Sequence, residues 1–496
     1  VRTPVLVGVD LGTTRVKVGL ITPDGTALGL TRSGYATEVD AASGRAEQDP
    51  EAWWTALRAA VHEAVAAAGT TGAIEPIGIC IAGHGPTLTA VDAEGLAVRP
   101  AMTWLDSRSS EERAELEAAT GLKGWALGVV PAARWLDRRE PDAAARTRWY
   151  LNSWEALGLR MTGVAGTSVV PGGRGLPLAA LRESGLTMER VAPDAEVGTV
   201  LGGLLPGPAE HLGLPAGTPV VTGLVDAFAS FHGARMLEPG DAIDVGGTAG
   251  GFGVYADRPV QVAGGFTTPA PLPGLYSVGG AMAATGAALD WLGSEILRGT
   301  MPVEALLAEA RTVPPGAEGL VFLPYLVGER SPLWDPAARG VFAGLTLRHT
   351  RAHMVRSILE AAALAIRHVA EPMLAAGLQV RAMRACGGPA RDDGWNRIKA
   401  DVTGFPVEVP RVRETAAVGA AIVAAVGVGV HADLPTAIRA MTAIDRRFEP
   451  DLSLRARYDE IYAAYTALHP AVAPVLRALG AGRGAEPAPA RAGAAA

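Results

Sequence analysis

The sequence predicts an α/β protein of two lobes with a cleft between them, both lobes opening on the same device. Three observations predict it. The chain has 496 residues, 49% of them hydrophobic, which is too long for one core and rich enough for two. Short apolar strand-like runs alternate with stretches of helical periodicity. Finally, the run Val5-Leu6-Val7-Gly8-Val9, the turn Asp10-Leu11-Gly12-Thr13-Thr14 and the run 16–21 recur in kind as Ala242-Ile243-Asp244-Val245, Gly246-Gly247-Thr248-Ala249-Gly250 and the run 252–255.

In chain order, the first hairpin leads to Asp49-Pro50-Glu51, a helix cap followed by proline at the first helical position. The helix after it carries Trp53, Leu57, Ala60, Val61 and Val65 on one face, with Trp54 beside it. Ile77-Gly78-Ile79-Cys80-Ile81 reads as a short buried strand, and residues 98–104 as another. A Gly-rich irregular stretch occupies residues 163–175. Pro219-Val220-Val221-Thr222-Gly223 reads as a strand that leads to Asp226 and then to a helix over 227–234. The Pro239-Gly240 break is the expected hinge, giving a first domain over 1–240 and a second over 241–479. The second holds a long helix over 353–374 with a late Pro372, a strand at Val407-Glu408-Val409 and an alanine-rich helix over 416–426. The tail 480–496 is almost all Ala, Gly, Pro and Arg and reads as disordered. No repeat of solenoid period is present.

Composition narrows the classes. A net charge of -7, from 44 basic and 51 acidic residues, argues against nucleic acid or an anionic membrane as the main partner. Two cysteines far apart, Cys80 and Cys386, exclude a disulfide framework and fit reduced thiols in the cytosol. No apolar run reaches transmembrane length, and the chain begins on a strand with no signal-peptide pattern. These features lead to the expectation of a cytoplasmic protein, with a homodimer left open as its assembly.

Glycine lets a backbone approach a phosphate closely and threonine adds a hydroxyl donor, so paired Gly-Thr turns suggest a nucleotide triphosphate gripped between two lobes. There is no Walker A lysine motif and no dinucleotide fingerprint in its proper context. Asp10 ends a buried strand at the first turn, where a carboxylate can hold Mg²⁺ through water or simply cap the turn. Lys17 in the next strand reads as a solvated strand residue. Asp226 stands at the carboxyl end of an apolar strand, where α/β sheets open onto their ligand crevice. It can accept a proton from an attacking hydroxyl, as phosphoryl transfer requires, or cap the helix behind it. His349 and His353 are spaced like metal ligands on a helix but have no third ligand.

The chain resembles the FGGY carbohydrate kinase family, within the actin-like ATPase superfamily, from Val5 to about Pro470. Asp10-Leu11-Gly12-Thr13-Thr14 resembles the family's first phosphate turn. Glu47-Gln48-Asp49-Pro50-Glu51-Ala52-Trp53-Trp54 resembles a stretch of its xylulokinase-like members. Trp104-Leu105-Asp106-Ser107-Arg108 matches its Trp-x-Asp-x-Arg, and Gly223-Leu224-Val225-Asp226-Ala227 its catalytic aspartate segment. Gly340-Val341-Phe342-Ala343-Gly344-Leu345 followed by His353-Met354, Ser357 and Glu360 matches its C-terminal signature. Gly387-Gly388 and residues 395–401 resemble its adenine-side loop and helix. Three departures stand out. Ala132 takes the place of a signature lysine, and Pro389 that of a third adenine-loop glycine. Gly83-His84-Gly85-Pro86-Thr87 replaces the Gln-Met-His-Gly of xylulokinases.

The resemblance implies a two-lobed actin-like ATPase fold, built of ribonuclease H-like duplicated domains around a central cleft. It implies ATP-dependent, Mg²⁺-dependent phosphorylation of a small sugar or polyol. Asp226 would be the base and Asp10 would orient the metal ion. Gly12, Thr13, Thr14, Gly247 and Thr248 would hold the phosphates, and Gly387 and Gly388 the adenosine. His84, Trp104, Asp106 and Arg108 would line the sugar pocket with Asp226. An imidazole, a carboxylate and a guanidinium suit an uncharged open-chain acceptor, so D-xylulose or a related pentulose is the expected substrate. The alternatives are a regulatory or chaperone-type actin-like ATPase without sugar transfer, and a kinase that binds both substrates but transfers nothing.

Overall fold

Both Gly-Thr turns form, and each joins two antiparallel strands. Strand β1 (Thr3–Leu11) turns into β2 (Arg15–Ile21), which pairs onward with β3 (Ala27–Gly34). Strands β4 (Ile74–Gly83), β5 (Val200–Gly203) and β6 (Pro219–Val225) complete a sheet of order β5-β6-β4-β1-β2-β3. The second turn joins β7 (Asp241–Gly246) to β8 (Gly250–Ala256). With β9 (Phe266–Pro269), β10 (Tyr276–Met282), β11 (Ala382–Gly387), β12 (Val407–Pro410) and β13 (Ile444–Phe448) they make a sheet of order β9-β10-β8-β7-β11-β12-β13. This computed structural model describes residues 2–40, 42–69, 72–170 and 175–480. The tail from residue 481 and residues 171–174 of the Gly-rich stretch lie outside them.

The two sheets repeat one pattern. Read from β3, the pairings β3-β2-β1-β4-β6-β5 run antiparallel, antiparallel, parallel, parallel, antiparallel. Read from β10, β10-β8-β7-β11-β12-β13 run the same way, with β9 added at the edge. The duplication first suggested by two short turns therefore extends through six strands of each lobe.

Strand alternation sorts β1 into two faces. Val5, Val7, Val9 and Leu11 pack outward against the helix Pro50–Gly69, whose Trp53, Leu57 and Val61 are fully buried, as its pattern predicts. Leu6, Gly8 and Asp10 face the other way. There the alanine-rich helix Thr415–Gly427, from the far end of the chain, lies against the first sheet. A side chain at Gly8 would collide with the Ala417 carbonyl, and one at Gly419 with the Ala229 carbonyl of the helix Asp226–Gly233. These two helices share one apolar cluster with Leu6 and Cys80 of the first sheet and Ile243 and Cys386 of the second. On the outer face of the second sheet lie the helix Arg351–Ala375, which continues through Pro372, and the helix Asp393–Thr403.

Two expectations need correction. Residues 98–104 supply only the two-residue strand Ala101–Met102. Thr103, Trp104 and Asp106 instead form a turn in which the Asp106 N–H bonds the Thr103 carbonyl. The irregular stretch over 163–175 contains a short strand, Thr167–Val169, paired with Asp194–Glu196. No helix among the described residues is long and apolar enough to cross a membrane, and Cys80 and Cys386 are buried and free.

Candidate active site

The parallel strands β1, β4 and β6 end together. Leu11 and Val225 both stand opposite Gly83 in the register. Asp10, His84 and Asp226 therefore lie along one carboxyl edge of the sheet, and two strand spacings put the two aspartates about 10 Å apart at the backbone. That edge is where α/β sheets bind ligands.

Asp10 is buried, and its Oδ2 accepts from Lys17 Nζ at 3.0 Å. Lys17 also bridges to Glu414 at 3.3 Å, at the start of the helix Thr415–Gly427. The reading of Lys17 as a solvated strand residue is thus corrected: the tight hairpin places it directly opposite Asp10, so both side chains emerge on the same face. The two carboxylates hold the lysine's proton affinity well above its ordinary value, Asp10 most strongly. Glu414 in turn meets Arg391 at 3.6 Å, and Pro389 packs on Gly246. A continuous set of contacts therefore joins the first turn to the second. The other Asp10 oxygen has no partner among the described residues and faces the turn at Gly12, which leaves a hard oxygen ligand of the type Mg²⁺ takes.

Asp226 is the first residue of its helix rather than its cap; Val225 holds the cap position, and Asp226 Oδ1 accepts from the Ala227 N–H at 2.7 Å. Asp226 is half-buried by surface area yet closely surrounded by protein. Desolvation, then the nearby Asp10 charge, push its carboxyl up to about 7. A carboxylate so poised suits proton abstraction near neutral pH.

The two turns are alike in their hydrogen bonds. Gly12 N–H bonds the Arg15 carbonyl, and Gly247 N–H the Ala249 carbonyl. The N–H groups of Thr13, Thr14, Thr248 and Ala249 have no acceptor among the described residues. Their carbonyls are engaged from behind. Gly247 and Thr248 accept from residues 285–287 at the start of the helix Gly286–Trp291. In the first turn the acceptors meet Tyr35, Thr37 and Gln48. Each turn therefore presents two free N–H donors, an anion-binding arrangement.

Gly387 ends β11 beside the second turn, and Gly388 follows it. Gly387 has φ +79° and packs against the Gly246 carbonyl, whereas a Cβ at Gly388 would meet nothing within 4 Å. Gly387 is thus required by the fold itself, and Gly388 borders open space.

The remaining expected residues divide. Trp104 Nε1 donates to Thr13 Oγ1 at 3.1 Å, which ties its loop to the first turn. Trp104 and Asp106 line a cavity of about 20 Å³, room for one water-sized group. Both Asp106 oxygens are engaged, by the Ala46 N–H at 2.9 Å and by the backbone and guanidinium of Arg108. Arg108 also binds Glu47 and lies over the Trp135 ring at 4.5 Å. His84 is not among the residues lining that cavity. It is buried edge-on to Trp53, Nδ1 bonded to Thr87 Oγ1 at 2.8 Å and Nε2 without a partner, and burial pushes its pKa down to about 4. Ala132, in the place of the signature lysine, lines the cavity, and so does Arg113, whose guanidinium has no ion-pair partner among the described residues. A larger hollow of 490 Å³, on the exposed face of the helix Pro50–Gly69 at Arg58 and His62, shares no residue with either turn.

His349 and His353 meet edge to face, and His353 completes the cap of its helix with Thr350; no cluster of three or more metal-ligating side chains occurs among the described residues. Tyr35, Ala249 and Arg113 were not singled out from sequence. Tyr35 reaches the turn only through the β2–β3 register, which no local pattern encodes, whereas Lys17 was accessible from hairpin geometry.

Comparison with known proteins agrees with this architecture. The profile of the FGGY family of carbohydrate kinases, N-terminal domain, matches residues 5–173, and that of the C-terminal domain residues 244–428. The chain is 31% identical to the glycerol kinase of Citrifermentans bemidjiense, with 93% of this chain and 97% of that one covered. It is 27% identical to the xylulose kinase of Bacillus subtilis, with 93% and 95% covered. Among solved structures, the xylulose kinase from Rhodospirillum rubrum matches with a TM-score of 0.81 and 31% identity, over 95% of this chain and 99% of that one.

Proposed function

Because the chain belongs to the FGGY family of carbohydrate kinases, we propose that it transfers the γ-phosphoryl group of ATP to a hydroxyl of a small sugar or polyol. D-xylulose or a related pentulose is the first acceptor to test. The observation that carries this reading is Asp226: a carboxyl pushed up to about 7, on the strand edge it shares with Asp10.

In this reading the acceptor hydroxyl lies against Asp226, which accepts its proton as the oxygen attacks phosphorus. The free N–H groups of Thr13, Thr14, Thr248 and Ala249, with the threonine hydroxyls, stabilise charge on the transferring phosphoryl group, and Gly247, lacking a side chain, lets it approach the second turn. Gly387 and Gly388 let the adenosine approach the backbone. Asp10, with its free carboxylate oxygen, would help to hold a Mg²⁺ ion, which would supply charge neutralisation at the phosphates. Lys17, paired with the other Asp10 oxygen, balances that carboxylate's charge. The Trp104 ring forms a wall of the acceptor pocket, and Asp106 and Arg108 hold that wall in shape. Approach of the lobes would exclude water as a competing acceptor.

Relatives that act on xylulose and on glycerol leave the acceptor open, and Arg113 in the Trp104 cavity makes acids informative. The test is ADP release with a panel of ketoses, polyols and sugar acids. Turnover with a ketopentose or polyol, at least about 10²-fold above the rate with water, is the expected result. A sugar acid as best acceptor would overturn the pentulose reading and leave the kinase standing. No acceptor-dependent turnover from any member would overturn the kinase reading.

A further inference from the structure

The first turn is fixed by residues that lie outside it. Gly12 O accepts from the Tyr35 phenol, and Thr14 O from the Tyr35 N–H at 3.1 Å. Thr13 O accepts from Gln48 Nε2 at 2.6 Å and from Thr37 Oγ1 at 3.3 Å. A trans peptide carries its carbonyl and its N–H on opposite sides. Holding the Gly12 carbonyl therefore aims the Thr13 N–H, and holding the Thr13 carbonyl aims the Thr14 N–H. Those two N–H groups are the ones left without acceptors.

The orientation of Gln48 is itself determined. Its Oε1 accepts from Trp53 Nε1 at 2.8 Å, and an indole can only donate. The amide nitrogen must then face the other way, where it donates to the Thr13 carbonyl and to Thr37 Oγ1, each at 2.6 Å. Gln48 is buried, so this arrangement has no solvent alternative. Tyr35 lies close enough to Asp10 and Asp226 for both charges to act on it; with burial as the main cause, they keep the phenol protonated and therefore a donor.

We infer that Tyr35 and Gln48 are positioning residues for phosphoryl transfer: by holding the Gly12 and Thr13 carbonyls they keep the Thr13 and Thr14 N–H groups aimed at the transferring group before any ligand arrives. The inference rests on the reading of Gly12–Thr14 as a phosphate turn. Donors aimed in advance need no reorganisation during reaction, which is what makes them effective.

The decisive variant is Tyr35→Phe, which deletes one hydroxyl and keeps the ring. We expect kcat to fall by about tenfold, one step removed from the larger loss of a direct oxyanion donor. KM for the acceptor should hold within about twofold, and the melting temperature should stay near wild type. Gln48→Met should act in the same direction, and Tyr35→Phe suffices where that buried variant folds poorly. Asp226→Asn is measured alongside. Wild-type kcat for Tyr35→Phe with an inactive Asp226→Asn would overturn the positioning role and leave the kinase reading intact. Wild-type kcat for both would overturn the reading of the site and the inference with it. A lowered melting temperature with unchanged kcat per folded enzyme would reduce Tyr35 to a structural residue, and so overturn the inference.

Discussion

The indole N–H of Trp104 donates to the hydroxyl of Thr13 across 3.1 Å, so the loop that lines the cavity beside Asp106 is tied to the first Gly-Thr turn. An indole is a donor only, so Thr13 Oγ1 must accept, and its own hydrogen is free to point elsewhere. Trp104→Phe keeps an aromatic wall and removes this bond. Steady-state kinetics should show kcat reduced by about three- to tenfold, the scale of one net hydrogen bond, together with a smaller rise in acceptor KM. A change in acceptor KM alone would mean that Trp104 acts as a wall and nothing more.

In the loop proposed to meet adenosine, the two adjacent glycines differ in what the fold demands of them. A Cβ at Gly388 meets nothing within 4 Å, so Gly388→Val should fold normally and raise KM for ATP well above any change in acceptor KM. Gly387 has φ +79° against the Gly246 carbonyl, and Gly387→Val should cost more than about 2 kcal/mol of stability. Thermal unfolding with and without ATP distinguishes the two. Equal effects of Gly388→Val on both substrates would point away from an adenosine role.

Asp106 links pocket shape to stability. Its carboxylate is buried and fully engaged with Arg108 and the Ala46 N–H. Removing one partner of such a pair costs about 3 to 5 kcal/mol, and the lower end is expected here because Arg108 keeps Glu47. Urea unfolding of Asp106→Ala should show that loss, accompanied by a rise in acceptor KM. A stable variant with a large KM effect would instead mean that Asp106 touches the acceptor directly.

Much of this fold was legible because strand and turn chemistry are local. Val5 to Leu11, the two Gly-Thr turns, the cap at Asp49 and the alanine-rich helix all announce themselves within a few residues. The order of the duplicated sheets was not legible, because β4 pairs with β1 from about seventy residues away and with β6 from about 140 residues away, and no local pattern encodes either contact. The same limit applies to the site. Asp10, Asp226 and the Gly-Thr turns stood out by motif, while Tyr35 and Arg113 enter it through register and loop packing. Glu414 carries no local signal, because its contact with Lys17 depends on a helix returning from the second half of the chain onto the first sheet. Residues 98–104 show the reverse error: an apolar run with strand propensity is bent into a turn by the hydrogen bonds of Asp106 and Thr103.

Asp226 also has a stability signature. Its carboxyl is raised to about 7 in the folded protein, against about 4 in an unfolded chain. Between those values the folded state holds a proton that the unfolded state has lost, so this group's contribution to stability falls as pH rises from about 4 to about 7, then levels off. Asp226→Asn removes that penalty. Its melting temperature should match wild type near pH 4 and exceed it at pH 8, by about 1 kcal/mol or more in free energy. Equal melting temperatures at pH 8 would mean the carboxyl is not raised.

Asp226 is proposed here as the base in transfer from ATP to a sugar or polyol hydroxyl. The most direct measurement is turnover of Asp226→Asn with the best acceptor of the panel, at saturating ATP and Mg²⁺, alongside the affinity for ATP measured without acceptor. With Asp226 as the base, kcat should fall by at least about 10²-fold with ATP affinity nearly unchanged. Near-normal turnover in that variant would contradict it.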